Sequence, residues 1–319
     1  MLNHYAAVKQ QRKQPNIVVK KFIVTISKYK YLYLMLIPGI TFFIIFHYVP
    51  MYGAIIAFKE YNIMQGILGS PWVGFKYFKQ AFESPFFGQI LWNTFIISVY
   101  KLIWGFPAPI ILALLLNEVK NMIFRRTIQT ISYLPHFISW VVIGGMFTDL
   151  LSPQTGVVNN IIKMFGGQPI YFMASKEWFR TVLVVSSIWK EVGWNSIIYL
   201  AALSSIDPQL YEASQIDGAN RWQQTWYITL PGIMSTIAIL LILRLGNILN
   251  AGFEQIFIMY NPSVYEVADI IDTWVYRTGI QGMRYSLATA VGLFKSVVGF
   301  ILVVTSNWIA KRMGESGIW

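Results

Sequence analysis

The chain has 319 residues, 55% of them hydrophobic and only 12% charged. Soluble domains carry about 25% charged residues, so intrinsic disorder and an ordinary cytosolic enzyme are both poor readings, and long apolar runs must meet lipid. The net charge is +11 and cysteine is absent, which removes disulfides, thiolate catalysis and Cys-ligated metals.

Residues 1–30 form a polar, basic tail with Lys9, Arg12, Lys13, Lys20, Lys21, Lys28 and Lys30. Tyr31 to Phe58 then runs without a formal charge. It is too long for a signal-peptide core and lacks small residues at a cleavage site, so it reads as a retained transmembrane helix. Five further spans follow, at about Gln89–Leu116, Thr127–Leu150, Phe179–Leu203, Thr229–Leu249 and Tyr285–Ala310. The predicted architecture is an all-α, polytopic membrane protein of about six helices. One membrane domain covers 31–311, and 312–319 form a C-terminal tail.

Six spans place both termini on one side. Thirteen Lys and Arg fall on that side, seven on the other and five within spans or at their ends. The positive-inside rule assigns the terminal side to the cytoplasm of a cell membrane. Placed in this way, the basic excess reports topology, and nucleic acid is not an expected partner. The segments between spans on the outer side carry turn signals at Gly69-Ser70-Pro71, Gly166-Gly167-Gln168-Pro169 and Asn261-Pro262. Apolar spacing through Val264–Tyr276 predicts a short outer helix.

The segment 207–232, between the fourth and fifth spans, has strong local punctuation. Asp207 is a good N-cap and Pro208 suits the first helical position. A helix through Gln209–Asp217 would stop at a left-handed Gly218. Asn220 would cap a second helix through Tyr227, and Leu230-Pro231-Gly232 would open the fifth span. The product is a helix–glycine–helix elbow at the cytoplasmic face; the bland alternative is an ordinary amphipathic surface helix.

In this segment Glu212-Ala213-Ser214, Gly218, Ile228 and Leu230-Pro231 stand at the spacing of the EAA loop of ABC-importer permeases, which the chain resembles. The departure is Ser214, a small residue in place of the second Ala. Gly105–Pro109 with Ala113–Glu118, Tyr133-Leu134-Pro135 with Phe137-Ile138-Ser139, and Trp189–Leu203 resemble carbohydrate permeases of the maltose-permease, type I class. Tyr260-Asn261-Pro262, Asp269–Gly279, Ala290–Phe294 and Gly314–Trp319 resemble its LplB/YteP-type branch, which handles oligosaccharides or polysaccharide fragments, mostly in Gram-positive bacteria.

The resemblance implies a second homologous permease, two cytoplasmic ATPase subunits that bind the ATP and Mg, and an extracellular sugar-binding lipoprotein. It implies that Glu212, Ala213, Ser214, Asp217, Gly218, Ile228, Leu230 and Pro231 form the ATPase-coupling elbow. Glu212 would approach a basic group, Gly218 would form the bend, and Leu230 and Pro231 would fix the elbow to the membrane helix.

No phosphate-binding loop, Gly-x-Ser-x-Gly nucleophile or metal spacing occurs, so the chain is expected to be non-catalytic and to bind no cofactor. His47 and His136 read as structural. Sugar sites need aromatic faces and planar amides or carboxylates. Trp189, Trp194, Asn195 and Tyr199, with Asn247, Asn250 and Glu254, make a candidate oligosaccharide path; interhelical bonds and interfacial aromatics are the competing reading. Lys190, Glu191 and Arg244 are either path lining or structural ion pairs. A self-sufficient secondary transporter would use these three as an ion relay, but the inverted repeats typical of such folds are missing. A membrane enzyme would need a carboxylate-only mechanism. Ala288, Gly292, Ser296 and Gly299 mark a close-packing seam on the sixth span.

Overall fold

The computed structural model of the protein describes Thr25 and residues 28–312. Most of the basic tail, His4 and the ending Gly314–Trp319 lie outside the described residues. The chain divides into two compact units between Ile55 and Ile56. α1 (Lys30–Phe58), 29 residues long, supplies the described helix of the first unit up to Ile55 and agrees with the predicted first span. Its ladder widens to a π-turn at Ile44–Tyr48, just before Pro50. Proline has no N–H and its ring crowds the carbonyl four residues back, so the wider turn lets the helix pass.

The second unit is helical. Its described residues contain one isolated antiparallel bridge, Lys59 to Trp72. After α2 (Lys76–Phe82) comes α3 (Phe87–Glu118), 32 residues and about 48 Å at 1.5 Å per residue. The first half of α3 buries Asn93, Thr94, Ser98 and Lys101 and leaves Trp92, Phe95, Ile103 and Trp104 exposed. The polar stripe therefore faces protein and the apolar stripe is left for lipid, as a membrane helix requires.

The predicted third span is not one straight helix. It divides into α4 (Met122–Phe137) and α5 (Trp140–Leu150), bent by 105°. Pro135 lies in a 3-10 turn, and Ile138 and Ser139 are extended. The apolar run hid this break, since a pattern of residue types does not report where the backbone leaves the helix.

After α6 (Val157–Met164), α7 (Phe179–Leu203) matches the predicted fourth span. It packs along α3 and against α4. A Cβ on Gly193 would lie 2.1 Å from the Ser132 carbonyl oxygen, so only glycine permits α7 to come this close to α4.

Next come α8 (Pro208–Ile216), α9 (Arg221–Gly232) and α10 (Met234–Gly246), the last two bent by 59°. The bend falls after Leu230-Pro231-Gly232, so these residues end the elbow's second arm and do not begin the straight fifth span. α11 (Phe253–Met259) and α12 (Ile271–Val275) precede α13 (Tyr285–Arg312), the predicted sixth span. The predicted Val264–Tyr276 helix is interrupted: Asp269 and Ile270 are extended, and Asp269 bonds instead to Thr273 and Arg277.

α10 packs on α13 where Gly299 faces the Gly246 carbonyl at 3.6 Å from an added Cβ. Ala288 meets Gly279, whereas Gly292 faces open space, so the small-residue stripe is a seam at two of its four positions. By length and composition α1, α3 and α13 can each cross a membrane, and the bent pairs α4/α5 and α9/α10 bring the number to five if each forms one span. The remaining predicted span is α7, whose 25 residues suffice in length.

Candidate functional site

The elbow is built by local rules. The Asp207 carboxylate accepts from the Gln209 N–H at 2.9 Å and starts α8 on Pro208. Gly218 closes it with φ +78°, a conformation that costs an L-residue with a Cβ about 1–2 kcal/mol. Asn220 and Gln223 exchange side-chain bonds with each other's backbone N–H at 2.9 and 2.8 Å, a capping box that starts α9.

Side chains lock the two arms together. The Tyr211 and Thr229 hydroxyls are 3.0 Å apart, and Gln224 donates to the Ser214 hydroxyl at 3.0 Å. Ser214, the departure from the resembled pattern, therefore has a local bonding role that Ala would lack. Arg221 pairs with Glu118 at 2.8 Å and ties the elbow to the end of α3. Glu212, Ala213, Asp217, Gly218 and Pro231 are exposed, while Ile228 and Leu230 are half-buried. The elbow also exposes the apolar side chains of Ile216, 87% exposed, and Trp222, 70% exposed.

A cavity of about 490 Å³ lies between α3, α7 and α10. Asn195, Tyr199, Asn247 and Asn250 of the predicted path line it; Trp189, Trp194 and Glu254 do not. Trp194 is stacked on His136 at 4.5 Å, and Trp189 packs against Phe147. Glu254 drops out because the helix ends at Gly246 and Gly252 turns left-handed at φ +94°, so the three- and four-residue spacing no longer defines one face.

The cavity also takes Lys101, Gln255 and Trp140, which sequence reasoning did not place there. Lys101 is 6% exposed; it donates to the Ala251 carbonyl at 2.7 Å and to the Gln255 side chain. Gln255 in turn donates to the Leu183 carbonyl and the Ser186 hydroxyl, at 2.7 and 2.8 Å. This buried polar knot joins α3, α7 and α11. A signal for Lys101 was present: Asn93, Thr94, Ser98 and Lys101 recur at helical spacing within an apolar run. Gln255 had none.

Arg244, in the last turn of α10, also lines the cavity, and its guanidinium has no hydrogen bond or ion pair among the described residues. Ser98 shares a small recess with Lys101 and Arg244, and its hydroxyl is buried without a hydrogen-bond partner. Lys295 is neutralised by Asp272 at 2.6 Å and also holds Asn250. Glu191 lines the cavity but is engaged by His136 at 2.9 Å. Arg244 is therefore a cation of the cavity that no described side chain engages.

Lys190 belongs to neither expected class. Its ammonium donates to the carbonyls of Pro135, His136 and Ile138 and lies 5.5 Å from the Trp140 ring. Irregular backbone at membrane depth must be satisfied by protein, and Lys190 does this at the α4/α5 break. Its described partners are these carbonyls and not Glu191 or Arg244, the other two members of the candidate ion relay.

A second ordered network ties α3 and α7 to the residues on either side of α12. Arg180 donates to the Val267 carbonyl and to Asn93, and Asn93 donates to the carbonyls of Glu266 and Asp269. Arg277 pairs with Asp269 at 2.5 Å, and that bond raises the guanidinium pKa further. Burial pushes the Tyr260 hydroxyl up to about 12.

Comparison with known proteins agrees with this architecture. The family described as binding-protein-dependent transport system inner membrane component matches residues 105–315. The polygalacturonan/rhamnogalacturonan transport system permease protein YteP of Bacillus subtilis (strain 168) is 47% identical over 94% of this chain and 94% of its own length. Protein LplB of the same organism is 48% identical over 93% and 94%. A crystal structure of a bacterial ABC transporter that imports the acidic polysaccharide alginate contains a chain with TM-score 0.85 and 47% identity, covering 92% of this chain and 99% of that one.

Proposed function

The chain belongs to the family of binding-protein-dependent transport system inner membrane components, as a permease subunit of an ABC carbohydrate importer, and we propose that its cargo is an oligosaccharide whose sugar units carry carboxylates. The observation that carries this reading is the Arg244 guanidinium, unpaired among the described residues and beside buried Lys101, in a cavity whose one lining carboxylate, Glu191, is bonded to His136 and whose other lining includes amides and apolar side chains. A guanidinium recognises a carboxylate through two parallel hydrogen bonds. The amides of Asn195, Asn247 and Asn250 suit sugar hydroxyls. YteP is named for polygalacturonan, a polymer of a uronic acid, and the similar crystal structure is of an importer of acidic alginate, which supports the same chemistry.

The subunit acts as conduit and coupling piece. A second permease completes the path, an extracellular lipoprotein delivers the cargo, and two separate ATPase subunits bind ATP and Mg. The crystal structure of the alginate importer bound to a pentasaccharide-loaded periplasmic protein supports the delivery step. The basic tail and loops support a cytoplasmic position for both termini and the elbow, and the Bacillus relatives support a Gram-positive cell.

On this reading the elbow, with Glu212, Ile216 and Trp222 exposed on it, docks on an ATPase. ATPase closure then moves α8 and α9 as one body, because Tyr211–Thr229 and Gln224–Ser214 lock them. The motion passes through the bend at Gly232 into α10, which carries Arg244 at its far end, so docking is linked to the cavity by one helix.

The test is uptake by the assembled transporter in liposomes, with its lipoprotein and ATP, of trigalacturonate against neutral maltotriose. Preference for the acidic trisaccharide that Arg244→Gln abolishes is expected. Equal uptake of both sugars, unaltered by that substitution, would sink the reading.

A further inference from the structure

A second hollow, of about 670 Å³, lies at the other end of α13 from Arg312, where the segment 60–80 meets residues 283–287. Its volume falls within the roughly 300–1,000 Å³ of small-molecule sites. It shares no lining residue with the central cavity. Its lining joins the rings of Tyr61, Tyr77 and Tyr285 to the amides of Asn62, Gln65 and Gln80.

The walls of the hollow are bonded to each other. The Ser286 hydroxyl donates to the Lys59 carbonyl at 2.7 Å and accepts from the Tyr61 N–H at 3.0 Å, fixing the two walls to each other. Ser70 accepts from the Asn62 N–H at 3.0 Å and donates to the Gly66 carbonyl at 2.6 Å, and Lys59 holds the carbonyls of Ile67 and Leu68. Tyr61 and Tyr285 meet edge to face at 5.8 Å.

Its charges are not balanced. Glu60 and Lys76 neutralise each other at 3.1 Å. Arg284 is exposed, and its guanidinium has no hydrogen bond or ion pair among the described residues. Arg284 follows Met283, whose φ of +53° makes it the non-glycine left-handed residue of the described chain. Such a conformation costs about 1–3 kcal/mol and is retained where the surroundings demand it. Here the backbone after it is set by the Arg284 N–H bonding to the Thr278 carbonyl at 3.1 Å, and Arg284 is left on the wall of the hollow.

Aromatic faces, planar amides and a free guanidinium on a cross-bonded frame are the elements that recognise a sugar ring, its hydroxyls and a carboxylate. We propose that this hollow is a second saccharide site, which takes a carboxylate-bearing sugar unit of the cargo at the opposite end of the bundle from the elbow. This rests on the acidic-oligosaccharide reading above. The site would give a long anionic chain a foothold outside the central cavity.

The test uses the assembled transporter in nanodiscs without its binding lipoprotein, titrated with trigalacturonate and with maltotriose and followed by saturation-transfer NMR. Two classes of trigalacturonate site are expected. Arg284→Gln should weaken one about tenfold or more, Arg284→Lys should weaken it less, and Arg244→Gln should affect only the other. Trigalacturonate binding that Arg244→Gln weakens but Arg284→Gln leaves unchanged would overturn the hollow alone and keep the central-cavity reading. If Arg284→Gln lowers lipoprotein-stimulated transport with saccharide binding intact, the hollow is a protein-docking surface and the proposal fails. No binding of trigalacturonate by the unaltered transporter would overturn both readings.

Discussion

The Lys190 ammonium donates to the His136 carbonyl at 2.7 Å, across 54 residues of chain. The neighbouring Glu191 holds the His136 ring at 2.9 Å, and Trp194 stacks on that ring at 4.5 Å. Three residues of α7 thus grip the point where α4 turns through 105° into α5. This charge inside the membrane is a backbone partner, and its removal would expose the Pro135, His136 and Ile138 carbonyls.

Replacing Lys190 by Met keeps the apolar stem and removes the donor. An unsatisfied buried polar group costs about 1–3 kcal/mol, so Lys190→Met is expected to destabilise the fold by about 3 kcal/mol. The check is a clear fall in the midpoint of thermal unfolding in detergent. An unchanged midpoint would show that the break is held by other contacts.

Gly193 is the point of closest approach between α7 and α4. A Cβ 2.1 Å from a backbone oxygen cannot be relieved by a side-chain rotation, so the helices must move apart. Gly193→Ala is expected to cost about 1–3 kcal/mol. Gly292→Ala, in open space on α13, should be close to neutral in the same measurement. Equal effects of the two substitutions would refute the assignment of the contact.

Gly218 controls the elbow. Proline holds φ near −65° and cannot take the +78° found here. Gly218→Pro is expected to insert in the membrane normally and to lose ATPase association and transport, measured by co-purification and uptake. Undiminished assembly and uptake would remove the elbow from the coupling scheme.

Arg244 is expected to act on charge and not on fold, since it makes no described bond that would be broken. Arg244→Gln should lower uptake of trigalacturonate about tenfold or more, in line with loss of a charge-assisted hydrogen bond, with maltotriose and thermal midpoint little changed. A parallel fall for both sugars would mean that Arg244 shapes the path without reading charge.

The elbow was legible in the sequence almost residue by residue. Asp207, Pro208, Gly218 and Asn220 act on backbone groups within a few positions of themselves, so their types and spacing determine the caps and the turn. The spans were legible for a similar reason: an apolar run long enough to cross a bilayer must do so wherever it packs. The bend at Pro135–Ser139 was not, because the carbonyls it frees are satisfied by Lys190, more than 50 positions away. The path was half legible. Asn195, Tyr199, Asn247 and Asn250 face one cavity, but Lys101 and Gln255 enter it only because α3, α7 and α11 converge.

What the sequence by itself determined is therefore the set of membrane helices, their basic flanks and the elbow, all governed by composition and by bonds within a turn or two. The tertiary structure alone decided which charges remain unpaired. Lys190, Glu191, Lys295 and Arg277 are each engaged by a partner brought near by folding, while the guanidinium groups of Arg244 and Arg284 have none among the described residues. A charge is available to a ligand only after the fold has allotted the others, and that allotment depends on distances between residues far apart in the chain.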